Sequence, residues 1–285
     1  MKRNGWMHLV LGGALVLGVG TAVAQGPGGG HRGPFGGPME LMGFEGMHGG
    51  KVVTGAPFSA TSTSTTNQTL QDGKTTINRT VQGAIYRDSQ GRSRREVTFT
   101  GVGPLAATGG THKMVAISDP VAGAHYMLNP DKKVAYKMTL PVGGAAGNTA
   151  KSQAFAQKMQ ARQQQEEASG ALKVDSLGTQ VINGVSAEGT RTTRTIAAGQ
   201  IGNSAPIQIV SERWYSPDLQ TVVQSTRTDP RFGTTTFSLT NIQTTEPAAT
   251  FFTVPAGYTV QAGGPGGHGH HGGAAAGVTP PPPGN

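Results

Sequence analysis

The chain contains no cysteine, which removes disulfide frameworks, thiol nucleophiles, thiolate zinc sites and lipid attachment through an N-terminal cysteine. It is also short of charge, at 13% of 285 residues, and of aromatics, at 6%. Beyond the first two dozen residues no segment is long and apolar enough to span a bilayer. Catalytic signatures are missing as well. There is no Walker motif and no His-Glu-x-x-His pair. Gly-x-Gly-x-x-Gly occurs at Gly28-Gly30-Gly33 and Gly264-Gly266-Gly269, but in glycine-rich tails with no strand before or helix after, so neither is a nucleotide site. Gly184 to Gly189 is one residue too long for a nucleophile elbow. His112 and His125 are the only histidines of the central region and read as strand-edge residues. The chain is therefore expected to be neither an enzyme nor a cofactor carrier.

What the sequence does hold is glycine and proline, 45 and 18 residues, distributed very unevenly. Residues 1–24 read as a secretory signal. Lys2 and Arg3 give the positive start, Leu9 to Val19 the apolar stretch, and Ala22-Val23-Ala24 the small-residue pattern for cleavage between Ala24 and Gln25. The expected location is periplasmic or secreted, at most peripheral to a membrane. Residues 25–50 carry 11 glycines among scattered Met39, Met42, Phe44 and Met47, too sparse an apolar content to offset the entropy of ordering them. Residues 262–285 repeat that character and close on Pro280 to Pro283. Both are expected to be disordered, leaving residues 51–261 as one domain.

That domain has 32 threonines and turn signals about every ten residues, among them Asp72-Gly73, Asp119-Pro120, Asn183-Gly184 and Asp229-Pro230. Asp-Gly and Asn-Gly supply the positive φ of tight hairpins, and Pro presets φ near −65°. Recurrent turns between β-branched runs predict consecutive antiparallel strands, here about eleven. Period-two alternation puts Val134, Tyr136 and Met138 on one face of their strand, and Ile77, Val81 and Ile85 on one face of another. The exception is Thr149 to Ala168, rich in Ala, Gln, Lys and Glu, which predicts a helix. Its Phe155 and Met159 form a thin apolar stripe suited to resting on a sheet. A second short helix is expected after Pro247, carrying Phe251 and Phe252.

This order of elements, with the ending Glu246-Pro247, Phe252, Val254-Pro255, Gly257-Tyr258, resembles the periplasmic lipoprotein-carrier superfamily, which includes LolA-type carriers and RseB-type sensor domains. The resemblance implies a mainly β fold: a curved antiparallel half-barrel, with helices closing over its concave side and an apolar cleft between. Such a cleft takes acyl chains or a partner's hydrophobic segment. Its lining in this sequence would come from Val97, Phe99, Val115, Ile117, Tyr126, Tyr136, Met138, Trp214, Phe237 and Leu239. The same residues also suit a filled core, and both readings stand at this level.

Two weaker sites are suggested by residue type. Arg87, Arg92, Arg94 and Arg95 flank one hairpin, and guanidinium groups capture phosphate or carboxylate bidentately. Arg95 points with Val97 and Phe99 while Arg92 and Arg94 take the other face, so a single ligand would need a bulge to meet all four. Asp88 and Glu96 are the competing partners. His268, His270 and His271 would bind a divalent transition metal weakly through imidazole. The formal charge of +8 and pI near 9.9 are spread without a basic run, so nucleic acid is not an expected partner, while anionic envelope polymers are compatible. The function these features favour is a non-enzymatic exported protein that binds a lipid, a lipoprotein or an envelope protein in an apolar cleft. The competing function is a cell-surface structural or interaction protein with a filled β core, whose low-complexity tails make the contacts.

Overall fold

The computed structural model describes residues 52–100, 110–139 and 150–263. The signal segment, residues 25–50, residues 264–285 and the three tail histidines lie outside the described residues.

Each predicted strand is present. In chain order they are β1 (Phe58–Thr69), β2 (Thr76–Arg87), β3 (Ser93–Thr100), β4 (Thr111–Asp119), β5 (Ala124–Asn129) and β6 (Val134–Thr139), then helix α1 (Ala150–Ala168). After it come β7 (Leu172–Ile182), β8 (Val185–Ile196), β9 (Ile207–Ser216), β10 (Thr221–Asp229) and β11 (Gly233–Gln243). The expected second helix is a single 3₁₀ turn, Ala249–Phe252, and a strand not foreseen from the sequence, β12 (Thr259–Ala262), follows it. All twelve strands form one sheet in the order β12-β6-β5-β4-β3-β2-β1-β11-β10-β9-β8-β7. Every pairing is antiparallel except β12 with β6.

The turns form for the reasons the sequence suggests. Asn183 and Gly184 both have positive φ, 48° and 89°, the requirement of a two-residue hairpin whose twist matches its strands. Aspartates organise four other turns by accepting backbone N–H bonds: Asp72 from Lys74 and Thr75, Asp88 from Gln90 and Arg92, Asp119 from Val121 and Ala122, and Asp229 from Arg231.

The sheet is open and curved, and its contacts show how far it curls. β7 lies four places from β11 in the sheet order, roughly 19 Å away if the sheet were flat. Yet the Asn183 amide at the β7–β8 turn donates to the Leu239 carbonyl of β11 at 2.6 Å. One apolar cluster joins Phe58, Ala60 and Ile85 of β1 and β2 to Leu239, Val223 and Trp214, and to Ile182 and Ala187 of the β7–β8 hairpin. Register shifts between Ser59 and Thr61, Val222 and Gln224, and Ser176 and Gly178 add the local twist that such a bend needs. The face carrying Phe58, Ala60, Ile85 and Leu239 is thus the concave one.

Helix α1 departs from the expectation drawn from the resemblance. It packs against β7, Phe155 is 62% exposed and Met159 is half-buried. Its C-terminal turn is tied down by Glu166, which pairs with Arg194 of β8 and Arg162 of the helix, both at 2.9 Å. With Gln, Lys and Arg around most of its circumference, the helix has too little apolar surface to cover a sheet face.

In β8, Gly189 supports the packing of the largest side chain in the cluster. A Cβ there would lie 2.5 Å from the Trp214 ring and 2.8 Å from Leu177, closer than real contacts allow. Gly189→Ala is expected to lose about 1–3 kcal/mol through this overpacking, read as a lower urea midpoint at unchanged m-value. A midpoint equal to that of the unmodified protein would show that the indole moves aside without cost.

Candidate ligand face

Residues directly opposed in an antiparallel pair share a face, so between register shifts the ladder assigns strand residues to one side. At the shift between Val222 and Gln224 it does not, and Trp214, opposite Gln224, packs with Val223 and Leu239. On the concave side, Leu239 stands opposite Ser62, Ser62 opposite Gly83, Gly83 opposite Val97 and Val97 opposite Met114. The next row runs Ala60, Ile85, Arg95, Ala116, Met127, Tyr136. The row after it ends with Ser118, His125 and Met138. Across β3 to β6 the concave face is therefore Val97, Met114, Ala116, Met127, Tyr136 and Met138. Val97 and Ala116 are buried, and the three methionines and the tyrosine are half-buried.

The opposite, convex face of the same strands carries Val115 and Ile117 of β4, Tyr126 and Leu128 of β5 and Ala135 of β6. Val115, Ile117, Leu128 and Ala135 are almost completely buried, and Val254 and Tyr258 pack on them. The cover is the segment from Glu246 to Tyr258. Glu246 accepts from the Ser89 backbone N–H at 3.1 Å and from its hydroxyl at 3.1 Å. Phe251 stacks on Tyr86 with ring centroids 4.3 Å apart, and Arg94 donates to the Phe251 carbonyl at 3.1 Å. Phe252, 3% exposed, lies under the Arg92 guanidinium at 5.2 Å. β12 then closes this strap by pairing with β6. The Glu-Pro…Gly-Tyr ending on which the resemblance rests is a belt across the convex side.

The ten residues expected to line one cleft are thus divided. Val97, Tyr136 and Met138 share the concave face of β3 to β6. Phe99 stands opposite His112 in the ladder. Phe237, Leu239 and Trp214 belong to the packed cluster near the β7–β8 hairpin. Val115, Ile117 and Tyr126 lie beneath the strap. Met114 and Met127, not selected from the sequence, complete the concave patch. Their only sequence signal is phase: each is the register partner of a residue that was selected.

The four arginines do not converge. Arg87 faces the concave side, 9% exposed, and donates from Nε and Nη2 to the Ala56 carbonyl at 3.0 and 2.8 Å and from Nη2 to the Leu219 carbonyl. Its guanidinium sits 4.8 Å above the Phe58 ring. Burial pushes its pKa down to about 10 against a small opposing effect of Tyr215, so it remains cationic at neutral pH. Arg92 bonds the buried Asp88 carboxylate at 2.5 Å. Arg94 and Lys113 both bind Glu96, at 2.7 and 2.6 Å. Burial pushes Glu96 up, but the bonds from Lys113 and Arg94 outweigh it and hold the carboxyl below its ordinary range. Arg95 stands in the ladder between Ile85 and Ala116, on the face of the methionines. Among the described residues no group of three or more His, Asp or Glu is arranged to hold a metal ion, and no helix is long and apolar enough to cross a membrane.

Neither a protein-family model nor a curated protein matches the chain. Solved structures do. The complex of MucA with MucB from Pseudomonas aeruginosa aligns at 13% identity and TM-score 0.34, over 70% of this chain and 56% of the matched one, so the chain spans little more than half of that protein. An uncharacterised conserved protein from Thermus thermophilus aligns at 10% identity and TM-score 0.37, over 73% and 90%. A LolA-superfamily protein from Nitrosomonas europaea aligns at 8% identity and TM-score 0.27, over 70% and 90%.

Two stability outcomes test the strap and the turns. Phe252→Ala is expected to cost about 3–5 kcal/mol, the range for a buried aromatic truncated in a packed site, in a urea unfolding series. A loss under about 1 kcal/mol, well below that range, would mean that the strap does not support the convex face. Asp229, 2% exposed, has its carboxyl held below the ordinary range, chiefly by its bond from Arg231, against a smaller desolvation effect. A depressed carboxylate stabilises the fold above its unfolded pKa and loses that contribution as pH falls through the folded value. The unmodified protein should therefore lose more thermal stability than Asp229→Asn between about pH 5 and pH 2. Parallel melting curves for the two would contradict this.

Proposed function

We infer that this is a non-enzymatic exported protein, released by cleavage after Ala24, which holds a lipid, a lipidated protein or a partner's hydrophobic segment on the concave face of β3 to β6. The observation that carries the reading is the half-buried patch of Met114, Met127, Tyr136 and Met138, continuous through Val97 with the packed cluster. Methionine is unbranched and polarizable, so a methionine surface adapts to guests of varied shape. The convex side of the same strands has its own strap, and helix α1 lies at β7; neither covers this patch. A curved sheet whose concave side is greasy and only half-covered fits an apolar guest.

The test is binding of an apolar fluorescent probe, 1-anilinonaphthalene-8-sulfonate, and of a fluorescent fatty acid to the mature chain. Native mass spectrometry of protein purified from the envelope, read for co-purified acyl species, accompanies it. Met127→Asp places a negative charge in the centre of the patch, which costs desolvation and repels both anionic probes, and is expected to weaken them at least tenfold, a change of about 1.4 kcal/mol. Val121→Asp, on the exposed β4–β5 turn, should leave both unchanged. Probe binding that is absent in the unmodified chain, or that is indifferent to Met127→Asp, would refute the assignment.

A further inference from the structure

The threonines that dominate the central region are not used by the apolar patch. On the convex face, away from the strap, the register sets them in rows. Thr226 stands opposite Thr236, Thr236 opposite Thr65 and Thr65 opposite Thr80, across β10, β11, β1 and β2. One step further along the strands the row is Thr228, Thr234, Asn67, Asn78. One step the other way it is Gln224, Ser238, Thr63, Gln82. None of these positions is charged, in a chain of net charge +8. Charge returns only at the borders, with Glu212 opposite Thr226 and Lys113 two strands beyond Gln82.

The hydroxyls are held in place by one another: Thr65 and Thr80 are 3.4 Å apart and Thr228 and Thr234 3.2 Å apart. The side-chain amides of Asn67 and Asn78 have no hydrogen-bond partner among the described residues. Where the rows end, Asn67, Asn78 and Thr234 line a notch of about 330 Å³ together with Gln68 and Thr76. On one side Gly233 approaches the Asn67 carbonyl so closely that a Cβ there would lie 2.1 Å from it, so no side chain at 233 can fill the notch.

We propose that this face binds an uncharged, hydroxyl-rich polysaccharide, a chain that crosses the strands and seats a sugar in the notch. Hydroxyls and amides both donate and accept, so they match sugar hydroxyls without desolvating a charge. The absence of charge selects against the anionic polymers that the rest of the basic surface would attract. The rows repeat at the strand spacing, about 4.8 Å, near the length of one sugar residue, so a repeating ligand meets a repeating set of partners and gains from each further contact. A crystalline surface such as ice is planar and cannot follow a curved array over four strands, whereas a glycan chain bends. The site is separate from the apolar patch, on the opposite face of the sheet.

The experiment is co-sedimentation of the full mature chain with amorphous swollen cellulose, colloidal chitin and amorphous insoluble mannan, whose surface chains are free to bend, followed by binding isotherms on whichever retains it. Asn78→Lys with Thr80→Lys changes two exposed side chains of β2. It is expected to raise the apparent Kd at least tenfold, with far-UV circular dichroism and apolar-probe binding unchanged. Asn78→Ala with Thr80→Ala removes the same groups without adding charge and should raise it several-fold, which keeps the test decisive if the lysine pair does not fold. Three outcomes overturn the proposal: retention on none of the three polysaccharides, retention insensitive to both pairs, or inhibition of ice growth without glycan retention. Loss of probe binding by Met127→Asp with glycan retention intact would separate this site from the apolar one.

Discussion

A twelve-stranded sheet has two faces to cover, and this chain has apolar side chains for little more than one. With aromatics at 6%, it cannot build a second layer of large side chains along its length. The structure answers this shortage in three ways. It curls until the β7–β8 hairpin reaches Leu239 and the concave side packs partly on itself. It lays the segment from Glu246 to Tyr258 over the apolar stretch of the convex side. It clothes the remaining convex surface in threonine, serine, asparagine and glutamine, which fit a pleated, half-wet surface and need no cover. The concave surface of β3 to β6 is reached by neither the curl nor the strap.

The strap depends on polar chemistry at its ends as much as on apolar packing between them. Glu246 on the Ser89 turn, Arg94 on the Phe251 carbonyl and the Arg92 guanidinium over Phe252 all use the β2–β3 hairpin as their anchor. That hairpin is itself fixed by the buried Asp88, which holds Arg92 and two backbone N–H groups of the turn. A carboxylate so fully buried must be paired, and its pairing sets the loop on which the C-terminal segment docks. Of the arginines that suggest an anion site by residue type, Arg92 and Arg94 are thereby occupied, and Arg87 is bound to backbone carbonyls on the other face.

Much of the architecture is legible in the sequence because turn chemistry is local. Asn183-Gly184 and the aspartate turns mark where strands end, and a run of Ala, Gln and Glu without β-branching marks α1. The candidate site is harder to read because it depends on phase between strands, which a one-residue shift inverts. β4 shows why. Its Met114 and Ala116 point to the concave side and its Val115 and Ile117 to the convex side, so both faces are apolar and periodicity gives no preference. Val115, Ile117 and Tyr126 therefore read as companions of Val97 and Tyr136, although the ladder puts them on the other side. β12 escapes notice for a different reason. Four exposed residues have no alternation to detect, and their strand character comes from a parallel pairing with β6.

The two faces also differ in what they demand of a ligand. Over β3 to β6 the buried residues of the convex side contact the strap, so a guest there would have to displace Phe252, Val254 and Tyr258 and leave the Glu246 carboxylate without its donors. The methionines opposite them are not covered by Val254 or Tyr258, which pack on the convex cluster. A guest on that side adds apolar contact at about 25 cal/mol for each Å² removed from water without displacing the strap. The asymmetry follows from the side on which the segment from Glu246 to Tyr258 lies. A strap that returned to the concave side would fill the patch, and the convex valines and isoleucines, not the methionines, would then be the surface left for a partner.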